Sequence, residues 1–393
     1  MRRGRVGVTW MLSFSLPLSF SSPARAQVAQ ASDYVVRASS ETAQYADTDH
    51  VFVTTPSLTG TVARPTAGWT VNGSYLVDVI SAASVDIVST ASQSWQEVRQ
   101  AGTLDATYNP RTFGVTVSGA ISSEPDYLSY AGGLTLTQDL FEKNVTLLAG
   151  YQHAHDIAGR RGTPFSVFSN PIETDAIRAG VSFLFDRATT AGALVDVEVV
   201  NGDTSKPYRY IPLFAPSTQV PLGASIDTVN ALRLSARPRE QVPLSRDRYA
   251  ITFRLAHRFH ASTLRLEERL YDDSWGLLAQ TTDAWWLFDV GRRIEVGPHV
   301  RLHDQTAVNF WERAYVLRPD FSFPAYRTGD RELGPLLNFT SGGRVRVGVG
   351  SAREPMKWTL GLDVEATYSR YLDNLYYSDR NAVLGALSIA GAL

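Results

Sequence analysis

The chain has 393 residues, 37 basic against 39 acidic, with 19% of positions charged and no cysteine. A net charge of −2 gives no electrostatic footprint for nucleic acid. The missing cysteines exclude a disulfide framework, a thiolate metal site and a cysteine nucleophile.

The N-terminus reads as a secretory signal peptide over residues 1–26. Arg2, Arg3 and Arg5 form a basic start, Val6 to Phe20 is mostly apolar, and Ala24-Arg25-Ala26 supplies a small-x-small cleavage pattern, with cleavage expected after Ala26. Losing those residues removes four of the 37 basic side chains, leaving 33 against 39 acidic, a net charge of −6. No later stretch reaches the ~18 consecutive apolar residues of a spanning helix. Residues 27–66 are polar at first and turn strand-like near Val51 to Val53 and Leu58 to Val62. They read as an N-terminal extension, either a candidate plug below or inside the following domain or one extra hairpin.

From Trp69 the alternation of apolar and polar residues is sustained. Trp69, Val71, Tyr75, Val77 and Val79 share one face, and Thr70, Asn72, Ser74 and Asp78 the other. Successive strand side chains point to opposite faces, so this is a strand with one apolar and one polar side. The unit recurs along the chain to Gly334–Val349, Trp358–Tyr371 and Ala382–Leu393. In the Trp358 segment, Trp358, Leu360, Leu362, Val364, Ala366 and Tyr368 oppose Thr359, Gly361, Asp363, Glu365 and Thr367. Its two aromatics stand about ten residues apart, the length of a tilted strand crossing a bilayer.

The connections sort by length. Short ones fall at Asn109-Pro110, Glu142-Lys143, Asp186-Arg187, His260-Ala261, Gly291-Arg292 and Ser351–Pro355, alternating with longer ones such as 156–172, 201–246 and 313–330. This pattern predicts an all-β fold over residues 67–393: a transmembrane antiparallel β-barrel with short periplasmic turns and long extracellular loops. The count is about 14 strands, or about 16 if Val51 to Val62 joins as a hairpin. An even number places both chain ends on the short-turn side. Many such barrels end in an aromatic residue; this chain ends in Leu393.

The stretch Y-L-V-D-V-I-S-A-A-S-V-D-I-V-S-T-A-S at Tyr75 to Ser92, with E-V-R-Q at Glu97 to Gln100 and D-R-E-L at Asp330 to Leu333, resembles the family catalogued as domain of unknown function 3570. The resemblance implies a Gram-negative outer-membrane barrel and assigns no reaction, ligand or catalytic residue.

Charges on the polar face belong in a lumen, because a basic side chain facing lipid at the midplane costs about 2–4 kcal/mol. The expected lumen-lining set is Asp196, Glu198, Arg254, Arg258, Arg344, Arg346, Asp363 and Glu365. Arg344 and Arg346 are expected to pair with Asp363 and Glu365 across their shared hairpin, each pair adding about 0.2–1 kcal/mol. Glu268 falls on the apolar parity and marks either an interfacial position or a slip of register. His153, His155 and Asp156 suggest a metal site, but their strand turns the histidines outward, where rim polarity is the simpler reading. His299, His303 and Asp304 read as polar lumen lining. Trp285 and Leu287, on an inward parity, would suit an apolar path. The 201–246 connection is long and proline-rich, fit either to fold inward and narrow the lumen or to stay on the surface.

No catalytic motif, metal site or cofactor is expected. The functional reading is a porin-like channel or transporter in the bacterial outer membrane. Its implied partners are membrane lipid, the barrel-assembly machinery and an unidentified solute. The alternatives are a transporter of a hydrophobic compound plugged by residues 27–66, and a structural or assembly barrel without transport. A membrane barrel predicts recovery in the outer-membrane fraction and a gel mobility that changes on boiling; recovery in the soluble periplasm would refute it.

Overall fold

A computed structural model describes residues 33–82, 95–160, 162–207, 209–350, 357–376 and 378–392. The expected signal peptide with Ala26, the Ser351–Pro355 turn and the terminal Leu393 lie outside the described residues. The elements in chain order are β1 (Val35–Asp47), β2 (Phe52–Arg64), β3 (Trp69–Ala82), β4 (Trp95–Tyr108), β5 (Phe113–Glu124), β6 (Tyr127–Leu140), β7 (Val145–Ala158), β8 (Asn170–Leu184) and β9 (Thr189–Gly202). After a two-residue strand β10 (Leu213–Phe214) and a short helix α1 (Ile226–Leu232) come β11 (Ser245–Arg258), β12 (Ser262–Asp273), β13 (Leu278–Val290) and β14 (Ile294–Gln305). The chain ends with β15 (Tyr315–Val316), β16 (Leu336–Val349), β17 (Lys357–Tyr371) and β18 (Asp379–Ala392).

Sixteen of these strands close into one antiparallel barrel, each pairing with its neighbours and β1 pairing with β18. The alternative of about 16 strands holds; the count of 14 left out β1 and β2. These two strands form a hairpin in register from Val35↔Ala63 to Ala46↔Phe52. Residues 35–64 therefore belong to the wall, and the plug reading of 27–66 does not hold for them. Their hydroxyl-rich sequence hides the alternation: β1 presents Val36, Ala38, Ser40, Thr42, Gln44 and Ala46 on its outward parity, only partly apolar.

The outward face is what makes this a membrane wall. Trp358, Leu360, Leu362, Val364 and Tyr368 of β17 are 39–45% exposed. Leu58, Leu104, Val117, Leu147, Ile177, Val195, Phe253 and Leu387 extend the exposed apolar surface around the barrel. An apolar surface of that extent is incompatible with water and fits lipid. Exposed aromatics frame it. Tyr108, Phe113, Phe141, Phe185, Phe259, Trp286 and Trp358 stand at one end, and Tyr75, Tyr130, Tyr151, Tyr249 and Tyr368 toward the other.

The loops sort largely as expected, but 48–51, 125–126 and 274–277 are short connections at the end opposite the other short turns. Connections 65–68, 109–112, 141–144, 185–188, 259–261 and 291–293 lie at the end that also holds Val35 and Ala392. Connections 159–169, 203–244, 306–335 and 372–378 lie at the opposite end, hereafter the long-loop end. The short turns are tightly built. Gly68 has φ 75°, and a Cβ there would stand 2.4 Å from Cα of Pro110 in the next turn, so only glycine fits.

Glu268 shows no slip of register. It sits opposite Phe253 and Thr282 on the outward face, where the Thr282 hydroxyl donates to its carboxylate at 2.6 Å. One threonine does not replace the hydration of a carboxylate, and a lipid-facing acid weakens the wall, though by less than a basic residue would. Glu268→Leu should therefore raise the unfolding free energy by about 1 kcal/mol in a lipid-refolding titration. An unchanged or lower value would show that Glu268 is not in contact with lipid.

Candidate functional site: the lumen and its capped mouth

The inward side chains divide the barrel interior into two unlike halves. From β2 to β7 many are small or hydroxylated, beside the Asp78–Arg99 ion pair at 2.7 Å and the carboxylates Glu97, Asp105, Asp139 and Asp156. Thr61 donates to Asn72 at 2.8 Å, Ser74 and Thr103 share a hydrogen bond at 2.7 Å, and Thr107 and Thr116 another at 2.8 Å. Ser118, Ser129, Thr135 and Thr137 continue the same surface. From β8 to β17 the interior is dense with ionised groups.

Those charges pair across the wall, and Asp196 and His299 each join two partners. Asp196 binds Arg178 at 2.6 Å and Arg269 at 3.3 Å; Glu198 binds Arg248; Arg254 binds Glu267 at 2.6 Å; Arg258 binds Asp289. Three contacts, Arg269–Asp196, Arg258–Asp289 and His299–Glu365, skip an intervening strand. Side chains of second-neighbour strands meet where they converge, on the concave side of the wall. By strand register all eight charges singled out by parity lie on the side of the wall opposite the exposed apolar face. Their partners Arg178, Arg248, Glu267, Arg269, Asp289 and Glu295 carry the same parity on neighbouring strands and were readable by the same rule.

The hairpin ladder expected between β16 and β17 is only half formed. Arg346 does bind Asp363, at 2.6 Å. Arg344, although directly opposite Asp363 in register, turns to Glu295 on β14 at 2.9 Å. Glu365 lies opposite Gly342, with its side chain close over that glycine, and reaches His299 at 2.8 Å. The other ring nitrogen of His299 meets Asp283 at 2.9 Å. The other half departs from expectation because that considered one hairpin, whereas a concave wall offers each side chain partners on both sides.

The other candidates separate. Trp285 stacks on His299 with ring centroids 4.1 Å apart, and Leu287 is 3% exposed, packed over Gly297. They pack over the stretch where the β13–β14 pairing is interrupted at Gly297 and Pro298. His303 faces inward to Thr281, while Asp304 has the opposite parity, so the two cannot share a ligand with His299 as a trio. Asp156 likewise points inward, accepting from Tyr127 at 2.6 Å, away from His153 and His155.

One mouth is covered. Along β11, side-chain exposure falls from 44% at Arg258 and 40% at Arg254 near the short turns to 13% at Arg248 and 12% at Arg246 near the long loops. The cover is built by loops 203–244 and 306–335. Their strands β10 and β15 pair in parallel, and Gln241 bridges Arg327. Ile211, Leu213, Tyr315 and Leu317 form one small core; Phe214, Val220, Ala224, Val229 and Leu375 form another, with α1 contributing Val229. Ser225 caps α1 by accepting from the Thr228 N–H.

Charge fastens this cap. Arg209 donates to Glu240 at 3.0 Å and to Asp330 at 2.7 Å, and Thr328 donates to Glu240 at 2.6 Å. Burial opposes ionisation of Asp330, but the Arg209 guanidinium outweighs it and holds that carboxyl below the usual range. Burial, reinforced by the charge of Asp330, pushes Glu332 up. Arg331 ties the cap to the β1–β2 turn through Asp49 at 2.5 Å, with side chains only 9% and 5% exposed.

Removing one partner of a buried pair leaves an uncompensated charge and costs about 3–5 kcal/mol. Arg331→Ala should therefore raise amide hydrogen exchange at residues 327–333 by at least tenfold while the wall strands keep their protection. Exchange like that of the unmodified protein would show that the pair does not hold the cap.

No curated protein matches the sequence. Solved structures with a similar overall fold include OccK7 (OpdD) of Pseudomonas aeruginosa, at 8% identity and a TM-score of 0.45 over 92% of this chain and 98% of that one. OccAB1 of Acinetobacter baumannii is similar at 9% identity and 0.40, over 92% and 97% of the two chains. The CymD monoaromatic hydrocarbon channel is similar at 9% and 0.40, over 91% and 87%. The match that identifies the chain is one of sequence: residues 19–392 fit the family described as Protein of unknown function (DUF3570), and the chain belongs to it.

Proposed function

We propose that this barrel is a bacterial outer-membrane channel for small polar solutes, entered from the long-loop side past a cap that narrows its mouth. The observation that carries this reading is the two-sided lumen. A wall made only to be filled has no use for a hydroxyl face of serines and threonines that reach little way inward. A solute path along β2 to β7 has a use for it, because such groups exchange hydrogen bonds with water and with polar solutes without holding either tightly. The ionised face from β8 to β17 acts as the stiff side of the passage.

The charges there are mutually neutralised, so the path should discriminate weakly between anions and cations. Orientation follows from the short turns and both wall ends lying together, as in bacterial single-chain barrels, with the short-turn side toward the periplasm. A signal peptide and insertion by the barrel-assembly machinery belong to the same reading. The path requires no chemical step.

Purified protein in planar bilayers should give discrete conductance steps with a reversal potential near that of a non-selective pore. Replacing residues 206–241 with a short Gly-Ser linker should enlarge those steps. Silence from both proteins, each shown to be folded by its heat-dependent gel mobility, would sink the channel reading.

A further inference from the structure

The inner wall carries an open recess beside the closing seam, at the short-turn end. Its volume is about 320 Å³, within the range of small-molecule pockets, about 300–1,000 Å³. Arg37 of β1 and Lys357 of β17 line it, and the register explains why they meet there. Both stand opposite Ala392 of β18, on the inward parity, one on each side of it. Two strand spacings separate their Cα positions by about 10 Å, within reach of two long side chains that converge on a concave wall. Ala392 and Ala390 lie between them and fill little of the space.

Hydroxyls complete the lining. Thr61 stands beside Arg37, and one rung further from the short turns Thr359, Ala390, Ser39 and Thr59 form a row across β17, β18, β1 and β2. No carboxylate among the described residues lines the recess. Arg344 and Arg346 are held by Glu295 and Asp363, whereas Arg37 and Lys357 form no ion pair with a described carboxylate. Two positive charges and several hydroxyl donors on one surface, with no acid among them, are the complement of an oxyanion. Arginine offers a planar fork to two oxygens, lysine a point charge, and the hydroxyls further hydrogen bonds.

We propose that this recess binds a small doubly charged oxyanion of the phosphate-monoester class, with Arg37 and Lys357 on the phosphate and Ser39, Thr59 and Thr359 toward the organic part. Charge and size give the class. A dianion balances the two cations, and the recess exceeds the volume of inorganic phosphate several times, which leaves room for a hydroxylated remainder of sugar size. The bound dianion cancels the pair, so the occupied lumen keeps a weak preference between anions and cations. The proposal rests on the channel reading for the role of the site: a solute that has passed the cap meets the recess last, before the periplasm. Binding itself does not require conduction.

The test is a calorimetric titration of glucose 6-phosphate into the full chain folded in detergent, with glucose and inorganic phosphate titrated separately. One glucose 6-phosphate per chain is expected, with weaker binding of inorganic phosphate and none of glucose. Arg37→Ala and Lys357→Ala should each lower the affinity by about tenfold or more, and Lys357→Arg should keep most of it. Arg301 is an exposed inward arginine of β14 outside the recess, and Arg301→Ala should leave the affinity unchanged. Heat-dependent gel mobility confirms that each variant is folded. Absence of saturable binding, equal binding by a folded Arg37→Ala/Lys357→Ala double variant, or an equal loss from Arg301→Ala would overturn the proposal. Inorganic phosphate binding as tightly as the ester would overturn the assignment to monoesters. Binding by a protein that stays silent in bilayers would sink the channel reading alone; conductance without binding would sink this proposal alone.

Discussion

Closure of the sheet is the constraint on which everything else depends. Hydrocarbon offers no partner to a peptide group, so a sheet that crosses it cannot have an edge. Here the edge is removed by β1 and β18, which pair from Arg37↔Ala392 to Asp47↔Ala382. Once the seam is in register, every other strand is held at a fixed parity, because a slip of one residue would turn its lipid face into the lumen. The outward apolar surface, the inward polar surface and the separation of long from short connections all follow from that one closure.

The inner surface makes a second use of the same geometry. On the concave side of a curved wall, side chains converge, and arginines can reach carboxylates one or two strands away. Asp196 takes Arg178 from one neighbour and Arg269 from beyond the other. Such pairs are individually modest where water reaches them, and their effect is collective: they fix long side chains against the wall. On the opposite wall, serine, threonine, alanine and glycine leave space beside it. The cap is a separate unit, with its own small cores and with buried charge pairs that join it to the strand ends.

What the sequence revealed, and what it hid, has physical causes. Alternation is a local property, so Trp358 to Tyr368 disclosed a membrane strand without any structure, and the sorted turns disclosed the architecture. The first hairpin escaped because Ser40, Thr42 and Gln44 face outward and blur the period. Parity placed Asp363 and Glu365 correctly on the inner face. It could not say that Glu365 would pass over Gly342 to His299, since that depends on the absence of one Cβ and on a third strand. The cap was the least legible: a parallel pairing of Leu213–Phe214 with Tyr315–Val316 joins segments about a hundred residues apart, and no period announces it. His153 and His155 were visible at once, but Glu173 and Asp175 became their partners only through the β7–β8 register.

The central claim is that each wall strand shows one face to lipid and the other to a water-filled passage. The chain has no cysteine, which makes the claim directly measurable with single substitutions. Thr359→Cys and Leu360→Cys place a thiol on adjacent residues of β17, inward and outward. In proteoliposomes a charged, membrane-impermeant maleimide should label the first variant rapidly and the second hardly at all. Equal labelling of the two, or faster labelling at position 360, would contradict the account.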